Sequence, residues 1–246
     1  MFTDIQFLSL ENVESTNDYA KLHHLIPHAN SLLAIIAREQ TKGKGRFGKT
    51  WHSKKDESLL MTLQFKDPKI SHPHQLTQIL AFSTFLFFQN LDLTTQIKWP
   101  NDIFVDDKKI GGILLEKYQD SYLLGIGLNI NSSEDFLSSI DQKATSYFYE
   151  TTRKLFVDEA AKVIAKIFLG HLNTLISSGF HSFYHMINEQ ALYTGDAVYT
   201  DHNKKTIGKV IGIDKDGFLL FEKGDQIEVI QSGSLSVNLP RKPNQE

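Results

Sequence analysis

Residues 43–50 read Gly43-Lys44-Gly45-Arg46-Phe47-Gly48-Lys49-Thr50, and they satisfy two phosphate-binding patterns at once. As G-x-x-x-x-G-K-T the stretch matches the P-loop, and its first six residues match the dinucleotide pattern G-x-G-x-x-G. Both patterns need a strand before the loop and a helix starting inside it, because the phosphate rests on the helix N-terminus. The strand is present in the apolar run at 32–37. The helix is not expected. Residues 51–58 carry one large apolar side chain, Trp51, and so have no stripe to bury. They lead into 59–65, where Thr62 and Gln64 alternate with Met61, Leu63 and Phe65 as in a strand. The order is strand, basic glycine loop, strand, so the loop binds anions by some means other than a P-loop. Between Arg38 and Lys55 seven cations stand against Glu39 alone. Glycine lets backbone N–H groups converge on an oxyanion while the cations supply charge, which favours anion binding over a merely solvated loop.

Other segments combine residue types that could do chemistry. Lys98-Trp99-Pro100-Asn101-Asp102 places a cation, an anchoring aromatic and a φ-fixing proline beside two polar side chains. Asn101 and Asp102 on such a corner suit a hydroxyl, a metal ion or a nucleophile's proton; plain turn chemistry explains the same residues. Lys109 precedes the pair Gly111-Gly112 at the mouth of a strand, where backbone can approach a ligand and the ammonium can meet a phosphate. Glu116 closes that strand and reads as solvated. Gly125 and Gly127 share a pleat face that ends at Asn129, leaving room for a flat ligand or for close packing under a helix. Ser15-Thr16-Asn17 reads as a helix N-cap whose hydroxyls and amide also suit a urea-like or amide-like group. The ten histidines show no zinc-ligand spacing, and no G-x-S-x-G elbow occurs.

The elements that must position these groups follow from periodicity. Strands are expected at 5–10, 32–37, 59–65, 96–99, 103–105, 109–118 and 122–131, with a helix after Ser15 and a long buried helix over 73–91. Three antiparallel strands in succession indicate α+β rather than alternating βαβ units. Residues 132–154 read as a long polar loop, and helices are expected over 156–176 and 180–192. Five short strands then follow between 194 and 239, with hairpin turns at Asp216-Gly217 and Lys223-Gly224-Asp225, as in a small SH3-like barrel. The division is therefore 1–192, 193–240 and a frayed tail at 241–246.

With 246 residues, 41% hydrophobic and 22% charged, the composition is that of a globular protein with one good core and a small appendage. No window reaches the ~18 apolar residues of a membrane span, and the N-terminus lacks the regions of a secretory signal. The absence of cysteine rules out disulfides and thiolate chemistry and is compatible with the expected cytoplasmic location. A net charge of −3 offers nucleic acid no general attraction.

Taken in order, Ser15-Thr16-Asn17, residues 37–41, 43–51, 98–102, 109–116 and 125–131 resemble the biotin–protein ligase (biotin–[acetyl-CoA-carboxylase] ligase) family. The resemblance extends from about residue 8 to 239. Lys44 stands where many members have arginine, and Phe47 replaces a frequent arginine; lysine keeps the charge and loses the fork geometry. The resemblance implies a class II synthetase-like catalytic core, a mixed sheet with packed helices, followed by the SH3-like barrel. It also implies that ATP with Mg²⁺ activates biotin to biotinyl-5′-AMP, which a lysine of a biotin carboxyl carrier protein then attacks.

Carried over by motif, Ser15, Thr16, Asn17 and Gln40 would hold the biotin head group beside Gly111 and Gly112. Gly43, Lys44 and Arg46 would fold over biotin and phosphate, and Lys109 would neutralise charge on the α-phosphate and carboxylate. Trp51, Asn101 and Asn129 would face the adenylate, and Asp102 would serve Mg²⁺ or the incoming lysine. Mg²⁺ is expected with ATP, its ligands are not identified by the sequence, and a homodimer is among the states the resemblance allows. The core begins within ten residues of Met1, so the winged-helix DNA-binding domain of repressor members is not expected here. A lipoate–protein ligase would share the fold and half-reactions, and a nucleic-acid-binding module is the non-enzymatic alternative.

Overall fold

The computed structural model describes residues 1–192, 196–201 and 204–237; the expected tail at 241–246, the last two residues of the final expected strand and part of the expected boundary near 193 lie outside them. Seven strands form a mixed sheet in the order β1-β2-β3-β7-β6-β5-β4. They are β1 (Asp4–Leu10), β2 (Ser31–Ala37), β3 (Ser58–Lys66), β4 (Gln96–Lys98), β5 (Asp102–Val105), β6 (Lys108–Tyr118) and β7 (Ser121–Asn129). Only β1 and β2 pair in parallel; the remaining ladders are antiparallel. That one parallel pair has a consequence for the site. Its register continues past the strands to a bridge between Val13 and Gln40, which sets Ser15 and Thr16 beside Gln40.

Helices α2 (His74–Gln89) and α5 (Val157–Ser178) pack together and against one face of the sheet, through β6 and through β2 and β3. Their apolar side chains, among them Leu76, Leu80, Phe88, Phe168 and Leu172, bury the main core with Met61, Phe65 and Ile126 of the sheet. Helix α1 (Thr16–Leu22) lies on the opposite face against β2, β3 and β7, over the small cluster Ala20, Ile35 and Leu123. A seven-residue helix is too short to stand alone. It starts because Ser15 caps it, accepting the Asp18 N–H, and it persists because that face is covered.

As the sequence implies, residues 51–57 form no helix: β2 is followed by the loop, with a 3₁₀ turn at Arg46–Gly48, and then by β3. Two expectations change. Residues 132–154 contain two short helices, α3 (Glu134–Ser138) and α4 (Tyr147–Thr151). Five-residue helices carry no apolar period to mark them; α4 is capped by Ser146, which accepts the Tyr149 N–H at 3.0 Å, while Ser133 before α3 makes no such bond. The helix expected over 180–192 is a 3₁₀ turn at Phe180–Ser182 and a short α6 (Tyr184–Glu189). Beyond it, β8 (Asp196–Asp201), β9 (Lys204–Ile213), β10 (Leu219–Lys223), β11 (Gln226–Ile230) and β12 (Ser234–Val237) form a second, antiparallel sheet. Its order is β11-β10-β9-β8-β12, with the last strand returning to pair with β8.

Candidate active site

The face of the large sheet that carries α1 also carries three glycines, Gly112, Gly125 and Gly127, with Gly112 and Gly127 directly paired. Side chains alternate across a strand, so their absence at these three positions opens a hollow on one face. The hollow is a cavity of about 350 Å³, roofed by the 43–51 loop and closed at its rim by Gln142 and by Ser234, Leu235 and Ser236 of β12.

Two of the glycines make room for the protein's own side chains. A Cβ on Gly127 would lie 2.4 Å from the Trp51 indole, and one on Gly125 would lie 2.8 Å from Asn17 Oδ1. Close packing therefore accounts for both, and the ligand space lies beside Trp51 rather than on bare glycine. Trp51 Nε1 is buried without a hydrogen-bond partner, a donor facing a site that supplies none. Gly112 sits under Lys109 and Asp102, with its added Cβ 3.1 Å from Lys109 Nζ. Gly111, on the other pleat face, would place its Cβ 2.2 Å from Leu128 Cδ2 in the core.

One part of the wall is neutral and hydrogen-bonded. Thr16 donates to Gln40 Oε1 from its amide (2.7 Å) and from its hydroxyl (3.0 Å). Thr62 Oγ1 of β3 lies 2.5 Å from Asn17 Oδ1 and 2.7 Å from Thr16 Oγ1. Asn17 Nδ2 donates to Glu116 at 2.7 Å, and Lys21 binds the other Glu116 oxygen at 2.6 Å. Glu116, expected to be merely solvated, is thus the anchor that orients Asn17.

Another part is cationic. Lys44, Arg46, Lys49, Lys98 and Lys109 line the same cavity, with Asp102 as the one carboxylate among the described lining residues. Lys109 Nζ lies 2.8 Å from Asp102 Oδ1, and 5.8 Å from the centre of the Trp51 ring. The Asp102 oxygen has no aligned hydrogen bond, so the contact is an ion pair that leaves a lone pair for another partner. Arg46 donates to Asn101 Oδ1 at 3.2 Å, while Asn101 Nδ2 donates to the Ile113 carbonyl at 2.8 Å. The Trp99–Pro100 peptide in this turn is cis. Burial lowers the pKa of Arg46, partly offset by Asp102. Burial also lowers that of Lys98, with Lys109 and Lys49 acting in the same direction and Asp102 against it. Cations crowded and desolvated in this way favour an anion. Lys44 differs. Its pKa is raised because Asp18 accepts from it at 2.5 Å, so its charge is already matched.

Three of the expected site residues are set back from the cavity. Gly43 packs beneath Trp51, whose N–H it accepts at 2.9 Å. Gly111 faces the core, as above. Asn129 is buried and donates to the Thr145 carbonyl at 3.0 Å, tying down the 132–145 segment whose Gln142 reaches the rim. Two of the loop's N–H groups bond within it, Gly45 with Lys49 O (2.7 Å) and Lys49 with Arg46 O (3.2 Å). Lys44, Arg46 and Lys49 bring formal charge to the cavity. The remaining expected residues meet at the cavity, joined by Lys49 and Lys98, which belong to the motifs without an assigned role of their own, and by Gln142 and the β12 residues, which no motif singled out.

Biotin/lipoate A/B protein ligases, as a family model, match residues 9–131, half of the 246-residue chain. The chain belongs to this family. It is 30% identical over 219 residues to the bifunctional ligase/repressor BirA of Bacillus spizizenii, and 26% identical over 228 residues to the human biotin–protein ligase. These matches cover 82% and 85% of the chain but 65% and 31% of those two relatives. A solved biotin protein ligase from Aquifex aeolicus in complex with biotin and ATP superposes with a TM-score of 0.85 at 26% identity, covering 95% of this chain and 99% of that one. The mixed sheet, packed helices and second antiparallel sheet are those expected of a ligase of this family. Among the described residues no helix is long and apolar enough to cross a membrane.

Proposed function

We propose that the chain is a biotin–protein ligase that activates biotin with ATP and transfers it to a lysine of a biotin carboxyl carrier protein. The observation that carries the reading is the bipartite cavity, in which a neutral hydroxyl–amide wall adjoins a cluster of cations. The first suits a ureido ring and the second a carboxylate meeting a phosphate. The human and Aquifex proteins named above, both of them called biotin protein ligases, support the choice of biotin.

In the first step a biotin carboxylate oxygen attacks the α-phosphorus of ATP, the α–β phosphoanhydride bond breaks, and pyrophosphate leaves. Ser15, Thr16, Asn17 and Gln40 orient the ring. Lys109, with Arg46 and Lys98, balances charge where carboxylate and phosphate meet, and Trp51 packs beside the adenylate. In the second step the neutral amine of the carrier lysine attacks the acyl carbon, the C–O bond of the anhydride breaks, and AMP departs while the amine gives up a proton. Closure of the 43–51 loop keeps water from the anhydride in between.

Mg²⁺ bound with ATP would neutralise phosphate charge. Among the described residues no cluster of three or more His, Cys, Asp or Glu could hold a metal by itself. Asp102, whose Oδ1 is ion-paired with Lys109 but accepts no aligned hydrogen bond, fits a carboxylate that accompanies phosphate-bound Mg²⁺. Its alternative task is to receive the acceptor lysine, and Asp102→Asn separates the two. Loss of ATP–pyrophosphate exchange marks the first task; loss of transfer alone marks the second. We assign residues 193–240 to a C-terminal domain whose β12 completes the rim, and the reaction to the cytoplasm.

The test is incubation with biotin, Mg-ATP and a carrier domain, followed by detection of avidin-reactive product. Pyrophosphate exchange that depends on lipoate and ignores biotin would move the assignment to the other branch of the family.

A further inference from the structure

The C-terminal sheet meets the rest of the chain at a second place, where the 214–218 turn reaches α2 and Trp99. The turn at 214–218 between β9 and β10 closes on itself: Asp214 Oδ1 accepts the N–H groups of Asp216 and Phe218, both at 2.9 Å. The Gly217 carbonyl at its tip accepts two buried side-chain bonds, from Gln78 Nε2 of α2 at 2.7 Å and from Trp99 Nε1 at 3.3 Å. Next to it the Asp216 carbonyl accepts from Gln75 Nε2 at 2.9 Å and lies 2.8 Å from His74 Nε2. Gly217 has φ +85°, which strains any residue with a side chain, and a Cβ there would lie 2.7 Å from Gln78 Oε1, so a substitution would also push the Gln78 amide aside.

Trp99 opens the turn that carries Asn101 and Asp102. The same helix that grips Gly217 also touches this turn, Thr77 Oγ1 lying 2.7 Å from the His74 carbonyl of its own helix and 3.1 Å from the Pro100 carbonyl, which share its one proton. On its far side the turn is held by Ile113, whose N–H donates to the Asn101 carbonyl at 2.9 Å. We propose that Trp99 and Gln78 are positioning residues. By sharing the Gly217 carbonyl they use the C-terminal sheet as a fixed post for the 99–102 turn, so that Asn101 meets Arg46 and Asp102 faces Lys109. The proposal rests on the reading of Lys109 and Asp102 as the reacting end of the cavity, and gives the C-terminal sheet a part in the chemistry besides rimming it.

Trp99→Phe and Gln78→Met each delete one N–H donor and keep a buried apolar body. Amide hydrogen exchange is read at Asn101 and Ile113, whose N–H groups bond within the turn (Lys98 O, 3.2 Å; Asn101 O, 2.9 Å). Both amides should exchange at least about 5-fold faster in either variant, with the amides of α1 unchanged. Biotin-dependent ATP–pyrophosphate exchange should lose about 5- to 20-fold in kcat at an unchanged biotin KM, less than the ~10²-fold cost of an ångström-scale misplacement. Unchanged exchange at Asn101 and Ile113 overturns the proposal whatever the activity. Faster exchange with wild-type kcat overturns it too, as does acceleration spread evenly over the whole sheet. Wild-type protein lacking biotin-dependent exchange refutes the ligase reading instead, and the amide data still decide whether the post holds the turn.

Discussion

In one part of the cavity wall, the polar groups of Thr16, Asn17, Gln40, Thr62 and Glu116 are already bonded to one another before any ligand arrives. In another, Arg46, Lys98 and Lys109 share the single carboxylate of Asp102. The first wall is preorganised: its donors and acceptors are held at set angles by buried partners, so ordering them costs binding little. The second is short of negative charge and waits for it. Recognition of a neutral ring and stabilisation of developing charge make these opposite demands, because a site that is electrostatically satisfied in the free protein has nothing left to give a transition state.

The comparison can be broken first at the cationic wall. Lys109→Ala should reduce adenylate formation by about 10²- to 10³-fold, the typical cost of removing one preorganised electrostatic group, with little change in biotin KM. ATP–pyrophosphate exchange measures it, and a rise in biotin KM alone would erase the distinction between the walls. Arg46→Gly removes the tie from the loop to Asn101 and should shorten retention of the adenylate by about 10-fold, roughly 1.4 kcal/mol; a filter assay with labelled intermediate reads this directly. Thr62→Val strikes the neutral wall. It leaves buried acceptors unpaired at a cost of about 1–3 kcal/mol and should raise biotin KM with kcat preserved. An unchanged KM would mean that the network is structural only.

The smallest effect sharpens the contrast by leaving both walls alone. Among the described residues no histidine lines the cavity. His74 and His171 both have pKa values lowered by burial. A base whose folded pKa lies below its unfolded value makes the unfolded chain bind more protons in between. The stability is therefore fully present above pH about 6.5 and is lost as pH falls from there through the folded values. The melting temperature should drop between pH 7 and pH 5, and His171→Asn, which removes the ring facing Ser83, should flatten part of that slope.

Local chemistry made much of this legible. The period-two alternation at 59–65 and the polar stretch at 51–58 were enough to show that the glycine loop opens no helix, since amphipathic period is a property of neighbours in the chain. Capping at Ser15 and the buried helix over 73–91 were equally local. Motif order brought Thr16, Gln40, Arg46, Asp102 and Lys109 together in expectation, and one cavity holds them. What escaped was contact between distant segments. The cations of the basic run looked unopposed, yet Arg38 pairs with Glu11 and Asp56, Lys42 with Glu14, and Lys44 with Asp18. Most of those acids lie some 26–28 residues upstream, brought alongside by the parallel pairing of β1 with β2. Exposed pairs of this kind add little stability. They do spend the local charge excess that could have served nucleic acid.

Residue order alone thus settled most of the element types, the α+β class and the kinds of chemical group available, because helix caps, turns and side-chain periods depend on a few adjacent residues. It did not settle the short helices at 134–138 and 147–151 or the break near 183. Only the folded arrangement decided which groups act together: that Gly127 accommodates Trp51, that Glu116 orients Asn17, that Lys44 is neutralised while Lys98 is not, and that Gly217 reaches back to Trp99. Those outcomes depend on sheet register and on burial, which are set by the packing of the whole chain.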